Sequence, residues 1–400
     1  MKEWKLKECC LSISDGDHLP PPKSNAGIPF ITISNIDSTN HLDFKNTLFV
    51  PIEYYDKLDS IRKAQIGDII YSVVGSFGKP VLIKDNKKFA FQRHIAILRP
   101  NSSIVDSRYL YYVMLTREFY MQADSVAIGA AQRTISLTSL RNMKVKLPSL
   151  DFQQRIATIL SRYDSLIENY QMQIKLLEES AQRLYKEWFI DLRFPGHENT
   201  KIVDGVPEGW EKKKIGDISK TTSGGTPSRT NNSFYSGSIM WVKTKELCDG
   251  FILGTEEKIT EEAIKKSSAK IVPAGSILMA IYGATIGKLG IATKDLTCNQ
   301  ACCVFLISED NPLRWYIFNW LLQNRNFLIS QGKGAAQPNL SQDMIKGFEL
   351  IIPDDKSLRG YHLLINPIYL NIKSLQSQIC QLTEARNRLL PKLMNGEIEI

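Results

Sequence analysis

The stretch from Ile156 to Trp188 reads IATILSRYDSLIENYQMQIKLLEESAQRLYKEW, and its apolar residues follow a regular repeat. The spacing between them alternates between four and three residues without a break. This is the a/d pattern of a coiled-coil helix. The repeat positions are Ile156, Leu160, Tyr163, Ile167, Tyr170, Ile174, Leu177, Ala181, Leu184 and Trp188.

A second run with the same spacing lies 205 residues further on, and Arg386 is its one break. Pro367 and Pro391 fall within it, so we expect this helix to start late or kink, and to end near Leu390. Each helix could pack one face on its own domain. Two matched runs at one offset favour mutual pairing instead. The second run comprises Tyr361, Ile365, Ile368, Ile372, Leu375, Ile379, Leu382, Arg386, Leu389 and Leu393.

The rest of the chain is duplicated too. Gly129-Ala-Ala-Gln-Arg-Thr-Ile-Ser136 matches Gly334-Ala-Ala-Gln-Pro-Asn-Leu-Ser341 at the same offset of 205. Gly75-Ser-Phe-Gly-Lys79 matches Gly283-Ala-Thr-Ile-Gly-Lys288 with one insertion. This period is far longer than that of a solenoid repeat, so it indicates a duplicated domain.

Short apolar runs bounded by Gly, Pro, Asn and Asp predict strands in both copies, together with one apolar helix near Arg108–Met121 and its counterpart near Leu313–Ser330. The predicted fold class is α+β, with two tandem globular modules, each followed by a long helix. A polar linker rich in Gly and Pro lets the chain turn, so we expect the helices to pair as an antiparallel coiled coil with pseudo-two-fold symmetry. The predicted segments are module one at 1–149, helix one at 150–193, the linker at 194–208, module two at 209–353, and helix two with a tail at 354–400. The predicted strands are Pro29–Ser34, Asp68–Val74, Phe89–Leu98, Lys144–Leu147, Ile239–Thr244, Ser276–Tyr282, Ala301–Ile307 and Gly347–Ile352.

Composition places the chain among ordinary globular proteins, with 43% hydrophobic and 23% charged residues. No apolar stretch has the roughly 20 residues needed to span a bilayer, and the N-terminal residues lack a secretory h-region. We therefore expect a cytoplasmic protein without a membrane partner. The net charge of +8 permits a polyanionic partner without requiring one.

Several motifs resemble catalytic signatures but lack essential parts. Gly283–Lys288 has three residues between its glycines and Leu289 after the lysine, so it is not a Walker A loop. Asn366-Pro-Ile-Tyr369 falls inside the second heptad run, and Asp354 or Asp355 is better explained as a helix N-cap than as a nuclease residue. The cluster of Cys298, Cys302 and Cys303 lacks a paired zinc motif, so buried thiols in a strand are the better interpretation. No catalytic or metal-binding residue is predicted.

The duplicated plan resembles the specificity subunit of type I restriction-modification systems. Leu147-Pro-Ser-Leu-Asp-Phe-Gln-Gln-Arg-Ile156 is similar to that family's entry into its first conserved helix. Phe194-Pro-Gly-His197 with Val206-Pro-Glu-Gly-Trp210 resembles the linker, and Ser223-Gly-Gly-Thr-Pro-Ser228 resembles the opening of a recognition domain. Leu389-Leu-Pro-Lys-Leu-Met-Asn-Gly-Glu-Ile398 resembles the C-terminal signature.

This resemblance implies a non-catalytic subunit that binds double-stranded DNA. Each module would read one half of a bipartite, asymmetric target, and the helices would set the gap. Two methyltransferase subunits using S-adenosylmethionine would dock on the helices, and restriction-translocase subunits using ATP and Mg²⁺ would join them. The holo-complex would be a site-specific deoxyribonuclease and adenine-N6 methyltransferase, while this chain itself holds no cofactor.

Contacts to DNA need Arg, Lys, Asn or Gln at base edges, and Lys, Arg or backbone amides at phosphates. For each candidate, a solvated surface charge is the competing interpretation. We expect neutralisation of Lys79 and Lys288 together to weaken binding to all sequences. The loop candidates are Lys79, Arg93 and Arg133 in module one, and Arg229, Lys243, Lys245, Lys288 and Gln337 in module two.

Two alternatives remain open at this point. The chain could serve an orphan, methyltransferase-only system or another modification system. It could also be a coiled-coil scaffold that binds no nucleic acid. The residues expected to mediate helix pairing are Ile156, Leu160, Tyr163, Ile167, Tyr170, Ile174, Leu177, Leu184, Ile365, Ile372, Leu375, Ile379, Leu382 and Leu389.

Overall fold

The computed structural model describes residues 1–17, 20–37, 39–130, 132–332 and 339–398. Residues 1–167 and 382–400 form one compact unit, here unit 1. Residues 168–381 form the other, unit 2. Each unit therefore contains one module and a portion of each long helix.

Unit 1 is built around antiparallel sheet. In its described residues, one sheet has the strand order Cys10–Asp15, Ile95–Pro100, Ile69–Ser72 and Pro80–Leu82. A second sheet places Ile28–Ile31 between Leu48–Val50, which is antiparallel to it, and Ala90–Phe91, which is parallel. Lys2–Lys5 pairs with Lys144–Leu147. The helices of this module are Leu6–Cys9, Ile52–Lys57, Ser107–Leu115, Arg117–Val126 and Leu137–Asn142.

Unit 2 repeats this arrangement with one more strand in its larger sheet. Its larger sheet has the order Lys220–Ser223, Cys302–Leu306, Ile277–Ala280, Leu289–Ala292 and Gly250–Ile252 in the described part of the chain. Its smaller sheet places Ile239–Val242 between Glu257–Ile259 and Thr297–Cys298. Glu211–Lys214 pairs with Glu349–Ile352, and Ile202–Val203 with Val206–Pro207. The helices are Ile215–Ile218, Glu261–Lys265, Leu313–Gln323, Arg325–Ser330 and Gln342–Gly347.

The single apolar helix predicted for each module is interrupted in both. In unit 1 the break falls at Thr116, whose hydroxyl accepts a hydrogen bond from the Phe119 amide and so caps a new helix. In unit 2 the break falls at Asn324. The expectation of one continuous helix is therefore wrong in both copies. Thr116 caps the second helix of unit 1, whereas in unit 2 the Asn324 side chain donates to the Trp320 carbonyl at the end of the first helix.

The two long helices span Leu150–Phe189 and Asp355–Asn395. The second begins at once after Asp354, which caps it by accepting hydrogen bonds from the amide and hydroxyl of Ser357. The N-cap prediction for this position is confirmed, whereas the late start and the end near Leu390 are wrong. Pro367 leaves the Leu363 carbonyl without its helical donor, but Leu363 is 74% exposed and water can supply one.

Within each unit, portions of both long helices share one apolar core. In unit 1, Ile156 and Leu160 of the first helix lie in the same buried cluster as Leu393 and Met394 of the second. In unit 2, the rings of Trp188 and Phe189 lie 5.9 and 4.7 Å from the ring of Tyr361. The early part of one helix meets the late part of the other in both units, as an antiparallel pair requires. The α+β class predicted from the sequence is confirmed.

Among the described residues, every helix is too short or too polar to span a lipid bilayer.

Candidate nucleic-acid interface

The candidate cations of unit 2 meet at one corner of its smaller sheet. Ile239–Val242 pairs antiparallel with Glu257–Ile259, and the register sets Trp241 opposite Glu257. Lys243 follows the first strand directly, so its side chain reaches the acidic residues that begin the second. Its Nζ lies 2.7 Å from Glu257 Oε1 and 2.9 Å from Glu256 Oε2.

Two more cations complete this cluster, which we call the charged corner: Arg229, Lys243, Lys245, Glu256 and Glu257. Lys245 Nζ lies 2.5 Å from Glu256, and Arg229 Nη1 lies 2.6 Å from Glu257. The Arg229 guanidinium also lies over two aromatic rings, 4.1 Å from the Tyr235 centroid and 4.9 Å from that of Trp241. The corner thus presents three cations held in place by two carboxylates, and the side chains of Arg229 and Lys245 are well exposed.

The lysines set the charge state of the acidic pair. Hydrogen bonds from Lys245 and then Lys243 lower the pKa of Glu256 to about 2. A hydrogen bond from Lys243, helped by Arg229, lowers the pKa of Glu257 despite its partial burial. Both carboxylates are therefore ionised near neutral pH, and the corner carries both signs of charge.

The same corner of unit 1 has a different chemistry. There Phe30 lies opposite Leu48, as Trp241 lies opposite Glu257. The 3₁₀ turn that follows each strand is also equivalent, with Asn35 capping the Thr32 amide where Glu246 caps that of Lys243. Strand register therefore equates Thr32, Ser34 and Thr47 with Lys243, Lys245 and Glu256. At these three positions unit 1 has neutral hydroxyl side chains where unit 2 has charged ones.

The two glycine-rich loops share the conformation of their glycines, although the loop of unit 2 is one residue longer. Gly75 and Gly78 have positive φ in unit 1, as do Gly283 and Gly287 in unit 2. In both, the glycine before the lysine donates its amide to the carbonyl of the preceding strand, Gly78 to Ser72 and Gly287 to Ala280. Each loop joins two antiparallel strands. A phosphate loop would join a strand to a helix, so the glycine-rich turn is the correct interpretation.

The lysines that end these loops differ in their surroundings. Lys79 is half-buried, and its Nζ lies 3.5 Å from the Ile36 carbonyl. Lys288 Nζ lies 2.7 Å from Asp249 Oδ2. Arg325 Nη1 lies 3.2 Å from the same oxygen, and its Nε donates to the Gly287 carbonyl. Asp249 thus holds the loop of unit 2 in place.

Of the remaining candidates, Arg133 adjoins the glycine-rich loop of unit 1, because its carbonyl accepts a hydrogen bond from the Gly75 amide and its guanidinium lies 5.4 Å from the Phe77 ring centroid. Arg93 is exposed in the turn between Ala90–Phe91 and Ile95–Pro100. Arg133 forms an ion pair with Asp124 and donates to the Ala127 carbonyl, which ties its loop to the end of the helix Arg117–Val126. Gln337 lies outside the described residues.

The residues expected to mediate helix pairing are all at least partly shielded from solvent. Seven are buried and seven are half-buried. Those in unit 1 are Ile156, Leu160, Tyr163, Ile167, Leu382 and Leu389. Those in unit 2 are Tyr170, Ile174, Leu177, Leu184, Ile365, Ile372, Leu375 and Ile379.

Sequence reasoning missed the acidic partners in these groups. Glu256, Glu257 and Asp249 carry no motif, and their cations lie 11 to 76 residues away along the chain. One signal was available in the sequence: the pair Asp249-Gly250 is typical of a turn, and in the structure Asp249 has φ of +66°, which Asp and Asn adopt more readily than most residues. The acidic pair could be identified only once the strands were paired.

The rejected motifs have structural explanations. Asn366 lies in the second long helix, where its Oδ1 accepts a 2.8 Å hydrogen bond from the Trp315 indole. Cys298, Cys302 and Cys303 are buried in sheet strands. Within the described ranges, no group of three or more His, Cys, Asp and Glu side chains could hold a metal ion. The chemistry that the corners and loops offer is hydrogen bonding and charge.

Comparison with known proteins agrees with the duplicated plan. The family model for the type I restriction modification DNA specificity domain matches residues 2–179 and again residues 207–357. The MjaIX specificity subunit of Methanocaldococcus jannaschii is 31% identical over 307 residues, covering 75% of this chain and 71% of its own. The HindI specificity subunit of Haemophilus influenzae is 24% identical, covering 92% and 95%.

A solved structure shares the fold. The crystal structure of a type I restriction-modification S subunit from M. genitalium matches with a TM-score of 0.62 at 14% identity, over 98% of this chain and 95% of that one. Three findings agree with one another. The family model matches the chain twice, one relative is above 30% identity, and the α+β module with its long helix is repeated. The chain therefore belongs to the family of type I restriction-modification specificity subunits.

Proposed function

We propose that the chain reads a bipartite, asymmetric DNA sequence, one block with each module. The observation that carries this proposal is the difference between the two equivalent corners. One scaffold presents Thr32, Ser34 and Thr47 in unit 1, and Lys243, Lys245 and Glu256 in unit 2. Hydroxyls and charged groups select different base edges, so two such corners would prefer unrelated blocks.

In this proposal the long helices set the gap between the two blocks. A helix of 40 residues is about 60 Å long, which exceeds the rise of one turn of B-DNA. The helices would also dock two methyltransferase subunits, which supply S-adenosylmethionine chemistry. Restriction-translocase subunits would bring ATP and Mg²⁺. The specificity chain would select the DNA target and would carry out no reaction step.

The test is selection of bound duplexes from a random DNA library, using the chain co-expressed with its cognate methyltransferase. Two short unrelated blocks with a fixed gap are the expected result. Exchanging residues 1–149 for those of another family member should change one block and leave the other and the gap intact. Selection that returns no motif at moderate salt would contradict sequence reading and favour a scaffold that binds no DNA.

Exchange that changes both blocks would contradict the assignment of one block to each module. Recovery of the motif with methyltransferase alone, and no cleavage when a restriction subunit is added, would place the chain in a methyltransferase-only system.

A further inference from the structure

The break in the second heptad run lies at the centre of a polar contact in unit 1. Arg386 Nη1 lies 2.5 Å from Asp164 Oδ1, on the first long helix. The Tyr112 hydroxyl donates to the other carboxylate oxygen, also at 2.5 Å. The Asp164 side chain is 12% exposed and that of Arg386 25%, so both charges are largely shielded from water.

The duplication does not repeat this contact. At the offset of 205, Asp164 corresponds to Tyr369 and Arg386 corresponds to Ala181. In unit 2, Ala181 is fully buried, and Tyr369 stacks on Trp315 with a centroid distance of 3.9 Å and donates to Asn319. Where unit 1 has a buried ion pair, unit 2 has an aromatic stack and a small apolar residue.

We propose that Asp164 and Arg386 form a pairing key, which makes the two long helices select each other rather than a second copy of themselves. A polar residue at one seam position of a coiled coil restricts which partners and registers are accepted. Residues 205 positions apart occupy equivalent places in the two helices. The contacts that would form if a helix paired with a copy of itself can therefore be derived from the sequence.

Two copies of the first helix, paired in the same antiparallel way, would set Asp164 opposite Ala181 instead of Arg386. Two copies of the second would set Arg386 opposite Tyr369. Each like pair leaves a shielded charge without its counter-charge, which is strongly unfavourable. The unlike pair alone satisfies both charges. The partner that each long helix fits is thus the other long helix of the duplicated chain. This inference does not depend on whether the chain reads DNA.

The decisive variant is Asp164→Leu with Arg386→Leu in the full chain. Removing both charges together preserves a packed seam, because apolar replacements of a buried ion pair are often neutral or stabilising. Every protein in this comparison carries Tyr112→Phe, so that no hydroxyl is left without its Asp164 acceptor. Arg386→Leu alone leaves Asp164 without its cation and should lower the unfolding midpoint. The double variant should restore that midpoint while losing the selection against like pairing.

Like pairing is measured by co-expressing two differently tagged full-length copies and purifying through one tag. We expect about ten times more of the second tagged copy to co-purify with the double variant than with wild type, because like pairs no longer bury an unpaired charge. Glu384→Leu with Arg388→Leu is the matched control. It removes an exposed i,i+4 pair from the same helix and adds the same apolar residues.

The control should mix no more than wild type. A double variant that mixes no more than wild type or than the control would overturn the pairing key. So would a double variant that unfolds as early as Arg386→Leu, because the contact would then serve stability alone.

Discussion

The ammonium group of Lys288 and the carboxylate of Asp249 lie 2.7 Å apart, and this contact fixes the glycine-rich loop of unit 2. Asp249 also accepts a hydrogen bond from the Leu289 amide and pairs with Arg325. Burial alone would raise the pKa of Asp249, but Lys288, the Leu289 amide and Arg325 more than offset it and lower that pKa. The loop therefore depends on an ionised carboxylate beside it.

The first prediction concerns Asp249→Asn, which keeps the side-chain shape and tolerates the positive φ. It should lower the free energy of unfolding at pH 7 by about 1–3 kcal/mol, because Lys288 and Arg325 lose a charged acceptor. The folded-state pKa lies below the unfolded one, so the stabilisation is complete above the unfolded value near 4 and disappears as pH falls through the folded value.

Denaturant unfolding of both proteins from pH 7 to the acid limit of reversible folding measures this difference. The gap between wild type and variant should close at acid pH. Asp343→Asn is the control, since that carboxylate is 94% exposed beside Lys346 and should change stability little. A gap that stays constant with pH would show that the charge of Asp249 is unimportant.

The second prediction concerns the two loop lysines. Lys79→Gln with Lys288→Gln should weaken binding to every duplex, because a phosphate contact carries no sequence information. The slope of log affinity against log salt should fall in magnitude by about 0.9 for each phosphate that is no longer neutralised. Fluorescence anisotropy over a salt series, on target and scrambled duplexes, measures both quantities.

Lys175→Gln with Lys266→Gln removes the same charge from two exposed i,i+4 pairs and serves as the control. If the loop variant binds with the affinity and salt slope of wild type, these lysines do not contact phosphate. If it matches the control variant, only net charge is involved.

The third prediction concerns Pro367, which lies exposed in the middle of the second long helix. Pro367→Ala should raise the free energy of unfolding by about 1–3 kcal/mol, because it restores a backbone donor to the Leu363 carbonyl and improves helix propensity. Pro391→Ala is the comparison, since it lies in the last turns of that helix and should give a smaller gain. Equal gains at both positions would contradict a specific effect of the mid-helix proline, and a loss at both would indicate the entropy that alanine adds to the unfolded chain.

The parts of the fold that sequence could predict are those with a local signal. The alternation of four and three residues from Ile156 to Trp188 follows from helix geometry, so it located the first long helix to within a few residues. The matching glycines predicted that Gly78 and Gly287 would lie in equivalent turns. The error at Pro367 arose because proline rules do not include the solvation of the carbonyl four residues earlier.

The candidate site was harder to predict, because the contacts between its residues have no local signal in the sequence. Arg229, Lys243 and Lys245 were identified by residue type, but their convergence on Glu256 and Glu257 depends on the pairing of two strands. Nothing local to those residues indicates it. Arg386 was noticed only as a break in a pattern, and its partner Asp164 lies 222 residues earlier along the chain.

The last prediction concerns Glu257, which holds two cations of the charged corner. Glu257→Gln raises the local charge by one and releases Arg229 and Lys243 from their shared acceptor. If this corner faces DNA, binding to any duplex should tighten, and the salt slope should steepen by about 0.9 for each additional phosphate that the freed cations neutralise. Discrimination within the block assigned to unit 2 should fall, because the freed side chains are no longer held in one orientation. Competition binding with single-base variants of each block, over a salt series, measures all three effects. Glu262→Gln is the matched control, since it makes the same charge change beside Lys266 in the same unit. A Glu257 variant that behaves like this control would place the charged corner away from the DNA, because only long-range charge would then differ from wild type.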